Sequence, residues 1–179
     1  MSSINFGMNY GSILGLFLAA ISVLFFAFGN FDFDKPVLFW IINTLVIISF
    51  LIFSIIQYRD IYCDKFLSYS ESVKIAVTVT VFASFVLGFY KVIFIMFITP
   101  EYIDLYIQTA EQQVLENADA VEKLGLSVDD LLDELESSRA NYKPFWIMTN
   151  EIINKAIGGL LLGLIISIFT KKENLNKIA

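Results

Sequence analysis

The chain has 179 residues, a formal charge of −6 and 57% hydrophobic residues, with 18 Phe and only three Pro, and its mean hydropathy is +0.71. Soluble domains are about 45–50% apolar, so this composition points to long apolar helices, and no basic stripe is present to neutralise the phosphates of a nucleic acid. There is no His and one Cys, Cys63, which removes an intrachain disulfide, a zinc or iron–sulfur ligand set and the commonest general base near neutral pH.

The first apolar run covers residues 10–28. Its flank, residues 1–9, has no Lys or Arg, and its end, Phe-Phe-Ala-Phe-Gly, lacks a small-x-small cleavage site. It therefore reads as a retained helix and not as a signal peptide. Further runs cover residues 37–56, 75–98 (interrupted by Lys91) and 145–169 (with Glu151, Asn154 and Lys155 in its first half). Each approaches the ~20 residues that cross ~30 Å of hydrocarbon. In lipid the backbone must satisfy its own hydrogen bonds, which makes such runs helical. Membrane helices are predicted near residues 10–29, 37–57, 73–98 and 145–170.

Orientation follows from Lys and Arg near the span ends. The loop after the second span holds Arg59, Lys65 and Lys74, and the tail holds Lys171, Lys172 and Lys177. The opposite side has Lys35 in the turn from Asp32 to Pro36, and Lys123, Arg139 and Lys143 in the longer segment 99–143. Both termini are predicted to be cytoplasmic, in a multi-pass protein of a bacterial inner membrane.

Between the third and fourth spans lie eleven of the 18 acidic residues, from Glu101 to Glu136. Thr99-Pro100-Glu101 opens a helix, with Pro and an acid in its first turn. Tyr102, Leu105, Tyr106 and Thr109 mark one face of that helix. Gly125 breaks the pattern. Ser127 to Asp130 then resembles a capping box, followed by Val128, Leu131, Leu132 and Leu135 at helical spacing. The reading is an acidic extracytoplasmic helical hairpin, with the Tyr102/Leu105 and Leu131/Leu135 faces packed together and the hinge near Gly125. The whole is an all-α integral membrane protein: one four-helix domain over 1–179 with the hairpin, 99–143, inserted in it.

Membrane helices associate through small residues and polar contacts. Gly7, Gly11, Gly15 and Ala19 form such a stripe in the first helix; Ala76, Thr80, Ser84 and Gly88 form one in the third; Gly159, Gly163 and Ser167 form one in the fourth. The second helix has none, so helices one, three and four are expected to pack most tightly, with the second more lipid-facing. These glycine faces serve packing inside one chain or, on the other reading, a homo-oligomer.

The fourth stripe extends back through Lys155 to Glu151, a favourable i, i+4 ion pair. Opposite chain directions put Lys91 and Glu151 roughly 10 Å inside the outer boundary, with Asn43 at similar depth and Lys155 deeper. Lys91, Glu151, Lys155, Asn43 and Asn154 are the candidate intramembrane polar cluster, with Lys91 expected within direct or one-water reach of Glu151. Intramembrane ionisable residues commonly serve function; the plainer readings are a snorkelling Lys91 and a pair that locks the bundle. The excess of Lys over Glu favours an anion as ligand.

The order of several motifs resembles a family of bacterial inner-membrane proteins known as domain of unknown function 4199. They are Tyr10-Gly11 with Gly15, then Tyr58-Arg59-Asp60, then Phe66-Leu-Ser-Tyr-Ser-Glu-Ser72. Thr99-Pro100-Glu101-Tyr102 follows, and the series closes with Gly158-Gly-Leu-Leu-Leu-Gly-Leu-Ile-Ile-Ser167 and Lys171-Lys172. The resemblance spans nearly the whole chain, with one departure: Asp64-Lys65 stands where a glycine is expected. It implies the architecture above, supplies no activity, cofactor or catalytic residue, and suggests an association with polyprenyl-phosphate glycosyltransferases, near which members are encoded.

Three functions remain open. One is a non-enzymatic subunit or scaffold of an envelope complex, with membrane lipids and other envelope or inner-membrane proteins as partners. Another is a small oligomeric transporter, lipid flippase or anionic-lipid-binding protein built on the polar cluster. The third is an enzyme, disfavoured because acid runs such as Asp129, Asp130, Asp133 and Glu134 are usually a solvated helix face and lack calcium-loop spacing.

Overall fold

A computed structural model describes residues 1–29, 36–139 and 143–172. Lys35 and Lys177 of the orientation count, with Asp32, lie outside the described residues. Seven α-helices are described: α1 (Ser3–Ala27), α2 (Pro36–Tyr62), α3 (Tyr69–Ile93), α4 (Tyr102–Glu116), α5 (Ala118–Lys123), α6 (Val128–Arg139) and α7 (Pro144–Thr170). A π-helical turn, Phe94–Ile98, continues α3. Four helical segments are long and apolar enough to cross a membrane: Ser3–Ala27, Val37–Tyr62, Tyr69–Ile98 and Pro144–Thr170.

The helix ends lie beyond the apolar runs because local hydrogen bonding, and not hydropathy, sets them. Ser2 Oγ accepts from the Asn5 amide at 3.2 Å, so α1 begins seven residues before the predicted start. Gly29, at φ +73, donates to the Phe26 carbonyl and closes it, as a left-handed residue after a helix does. Ser68 Oγ accepts from the Glu71 amide at 3.3 Å and caps α3. For α7, the Lys143 carbonyl receives the Trp146 and Ile147 amides, with Pro144 at the first helical position, where its missing N–H costs nothing.

The chain divides into two compact units, Met1–Gly88 with Asn150–Ala179, and Phe89–Thr149. In the first, α1 and α7 both pack against α3 through their glycines. A Cβ on Gly11 would stand 2.5 Å from the Val79 carbonyl oxygen, and one on Gly15 would stand 2.6 Å from Val86 Cβ. On α7, a Cβ at Gly163 would lie 2.7 Å from Ala76 Cβ, and one at Gly159 would collide with Thr80. The buried positions of α3, from Ser72 through Ala76, Thr80 and Ser84 to Gly88, recur every fourth residue. The expected small-residue packing of these three helices is thus present inside one chain. Gly158 differs, with nothing near its Cβ position.

The expectation for α2 holds in part: its apolar window is 22% buried, below the 28% of α1 and the 33% of α3, but equal to the 22% of α7. Aromatic side chains join it to α1 instead. Phe6 meets Tyr58 edge-on at 5.1 Å, Phe25 meets Phe39 at 5.1 Å, and Tyr10 donates a hydrogen bond to Gln57. Bulky rings fill the space that small residues leave out elsewhere, and aromatic pairs add about 0.5–1.5 kcal/mol beyond their buried area.

One end of this unit is fastened by contacts distant in sequence. Leu67 and Lys172 exchange both backbone hydrogen bonds, at 2.8 and 3.0 Å, as an antiparallel bridge. Arg59 Nη1 donates to the Thr170 carbonyl at 3.4 Å. The last carbonyls of a helix have no partner within it; Arg59 supplies one for Thr170, and Leu67 holds the chain just beyond α7. To reach this bridge the connector turns through Asp64 and Lys65, at φ +47 and +67.

Candidate functional site

Among the predicted cluster residues, Glu151 and Lys155 form an ion pair within α7. Lys155 Nζ lies 3.0 Å from Glu151 Oε1, with both side chains largely shielded. They occupy the same face of α7 as Gly159 and Gly163, one and two turns nearer its start. Asn43 is buried, but its amide nitrogen donates to the Phe39 carbonyl of its own helix at 3.0 Å. Asn154 is on the exposed side of α7. Lys91 is half-buried in the last turn of α3 and belongs to the second unit, whereas Glu151 belongs to the first. Ser167, at the other end of the stripe, is fully buried, and its hydroxyl lacks a hydrogen-bond partner among the described residues.

Within the second unit, the acidic segment forms α4, α5 and α6. Asn117 ends α4 earlier than the sequence suggests: its side chain donates to the Gln113 carbonyl at 2.8 Å, while its own carbonyl accepts from Ala120 and Val121. Asn side chains compete in this way with helix continuation. Gly125 adopts φ +76 at the expected turn, and Ser127 Oγ accepts from the Asp130 amide at 3.3 Å, capping α6.

Arg139 bridges from α6 to Asp104 of α4 at 3.0 Å and also pairs with Glu136 at 3.2 Å. This fixes the end of α6 opposite the start of α4. Leu131 and Leu135 therefore face Ala110, Gln113 and Val114, further along α4 than Tyr102 and Leu105. Tyr102 stacks edge-on against Phe94 at 6.1 Å. Ile107, not singled out from the sequence, is the fully buried residue of α4. The signal was available, since it lies one turn before Ala110 and Glu111 on the inward side.

Between α4, α5 and α6 lies a groove of about 420 Å³. Val114, Val121, Leu131 and Leu135 make its apolar wall; Gln113, Glu134 and Ser138 bring polar atoms to it. Leu124 and Leu126, on either side of the Gly125 turn, are 77% and 50% exposed. The segment 99–143 carries eleven acids against Lys123, Arg139 and Lys143, and Arg139 is engaged by Asp104 and Glu136. Among the described residues the groove thus combines partly exposed apolar surface with an acidic surround. Among the described residues, no three His, Cys, Asp or Glu side chains converge as a metal-binding group.

Cys63 lies where α2 ends, half-buried. Burial pushes its thiol up from the ordinary value, and the nearby Glu71 carboxylate adds to the shift.

Comparison with known proteins gives a family and no activity. No curated protein matches the chain, and no solved structure matches it. The family described as "Protein of unknown function (DUF4199)" matches residues 9–172, nearly all of both units. The chain belongs to the DUF4199 family.

Proposed function

We propose that this chain is a multi-pass protein of the bacterial inner membrane, with both termini cytoplasmic, that acts as a non-enzymatic subunit or scaffold of an envelope complex. Residues 99–143 form a helical hairpin held outside the cytoplasm, and that hairpin is the partner surface. The observation that carries this reading is the α4–α5–α6 groove, lined by Val114, Leu131 and Leu135, which stay partly exposed among the described residues. Uncovered apolar surface rimmed by polar residues marks interaction sites. The glycine-packed helices supply the anchor. Purification of the tagged native chain in mild detergent tests the proposal: recovery with stoichiometric envelope proteins is expected, and recovery as a lone monomer under every gentle condition overturns it.

The Glu151–Lys155 pair favours a second reading, a small oligomeric transporter or anionic-lipid-binding protein. An ion pair inside an apolar helix is expensive, and such pairs often mark solute or lipid pathways. Water access separates the two: a thiol at Lys155→Cys that reacts with membrane-impermeant reagents supports transport, and an unreactive one supports the anchor.

A further inference from the structure

We infer that the α4–α5–α6 groove docks a cationic amphipathic helix of a partner protein, apolar on the inserted side and bearing Lys or Arg on its flanks. The inference rests on the scaffold reading and deepens it by naming the chemistry of the partner. Three observations support it.

The first is the shape of the wall. Val114 on α4 and Leu131 and Leu135 on α6 line one continuous groove between two helices running in opposite directions. A helix laid between two others presents residues at i, i+3, i+4 and i+7 to such a groove. The second is charge. Glu134 lines the groove. Asp130 lies one turn before it on α6, and Glu116 lies one turn after Gln113 on α4; both are exposed. Lys123 on α5 is the neighbouring cation, and Arg139 is tied to Asp104 and Glu136 at the far end. Both edges of an apolar channel are therefore negative, which fits Lys or Arg flanking an apolar stripe. The third is the tip, where Leu124 and Leu126 stand exposed beside the groove's Val121 and lengthen the apolar track.

The same charge argues against other occupants. A fatty acid would bring its carboxylate to Glu134. A second copy meeting the same face would oppose two strongly acidic segments, a costly juxtaposition.

The test uses the full chain in nanodiscs of zwitterionic lipid, with empty nanodiscs as reference. The probe is a fluorescent helical peptide of about five turns, roughly 18 residues, with Leu on one face and Lys on the other; its counterpart replaces every Lys by Glu. Fluorescence anisotropy is expected to show binding of the Lys peptide only. Ala110→Trp, which fills the groove, and Glu134→Lys, which reverses its edge, should each weaken binding about tenfold or more. Glu101→Lys, an exposed acid of the same segment away from the groove, should change it less than about twofold; these factors correspond to roughly 1.4 and 0.4 kcal/mol. Equal loss for Glu101→Lys and Glu134→Lys means diffuse charge attraction and overturns the inference, as does binding of the Glu peptide or undiminished binding by both groove variants. Should Ala110→Trp fail to fold, the surface change Glu134→Lys decides alone. A native partner that co-purifies equally with the wild type and Glu134→Lys would overturn the groove assignment while leaving the scaffold reading intact; a chain without any partner would overturn the scaffold reading itself.

Discussion

Gly158 and Gly159 are neighbours on α7 with opposite surroundings, and an alanine at each isolates the α3–α7 contact. At Gly158 a new Cβ meets open space. At Gly159 it would overlap Thr80 Cβ, Oγ1 and Cγ2. A Cβ cannot rotate away, so relief requires the helices to separate. One turn on, the Gly163 position shows the scale: its Cβ would stand 2.7 Å from Ala76 Cβ, about 1 Å inside the ~3.5–4.0 Å of an ordinary carbon contact. Overpacking of this kind costs about 1–3 kcal/mol. Gly158→Ala should be neutral or stabilising by up to about 1 kcal/mol, since Ala is the better helix former. The helix-propensity gain is common to both, so the two variants should differ by the overpacking cost, about 1–3 kcal/mol, read from unfolding by a denaturing detergent and followed by circular dichroism. Thr80→Gly combined with Gly159→Ala should recover part of the loss, with a coupling of about 0.5–3 kcal/mol for residues in contact. If Gly159→Ala is as stable as Gly158→Ala, the glycine stripe of α7 does not meet α3 and the bundle described here is wrong.

Three other outcomes are expected. Lys65 holds φ +67, which costs a non-glycine residue about 1–2 kcal/mol, so Lys65→Gly should stabilise the chain by a few tenths to about 1 kcal/mol after the glycine entropy penalty; a loss of stability would contradict the turn geometry. Lys155→Met should destabilise by about 1–2 kcal/mol and Lys155→Met with Glu151→Gln should recover much of it, because the single change leaves Glu151 without its 3.0 Å counter-charge in an apolar helix; additive losses would mean the two are not energetic partners. Cys63 should alkylate more slowly than a free thiol at neutral pH, with its rate profile displaced to higher pH, because burial and Glu71 raise its pKa and the thiolate is the nucleophile; reaction at the free-thiol rate would refute this.

What was readable in the sequence divides along physical lines. Four apolar helices were legible because apolar runs of about 20 residues, the length a hydrocarbon layer demands, stand out in the sequence. The glycine stripes also translated directly, since spacing of four fixes a face and small size permits close approach. Helix ends were not, since Ser2, Ser68 and Asn117 act through single hydrogen bonds that hydropathy ignores, although Ser68 with Glu71 three residues later is a capping pattern. The α1–α2 interface escaped for the opposite reason: nothing in the spacing of Phe6, Tyr10 and Tyr58 says which ring each one meets. The Leu67–Lys172 bridge depends on segments far apart in the chain and left no local trace. The departure at Asp64-Lys65 did leave one: both residues take the left-handed conformation that glycine adopts most readily, which explains why a glycine suits that place. In the groove, the apolar residues of α6 were identified from their spacing, but their facing residues on α4 lie further along the helix, in a register that the Arg139–Asp104 pair matches and neither helix encodes alone.

The proposed topology, a bundle that crosses the membrane with the acidic groove on the non-cytoplasmic side, is tested by the accessibility of single thiols at Glu116→Cys and Lys172→Cys. Each is placed in a Cys63→Ala background and exposed to a membrane-impermeant reagent in intact cells and in inverted vesicles. Glu116→Cys should react from outside the cytoplasm and Lys172→Cys from within it; reaction of both from the same side would overturn the topology.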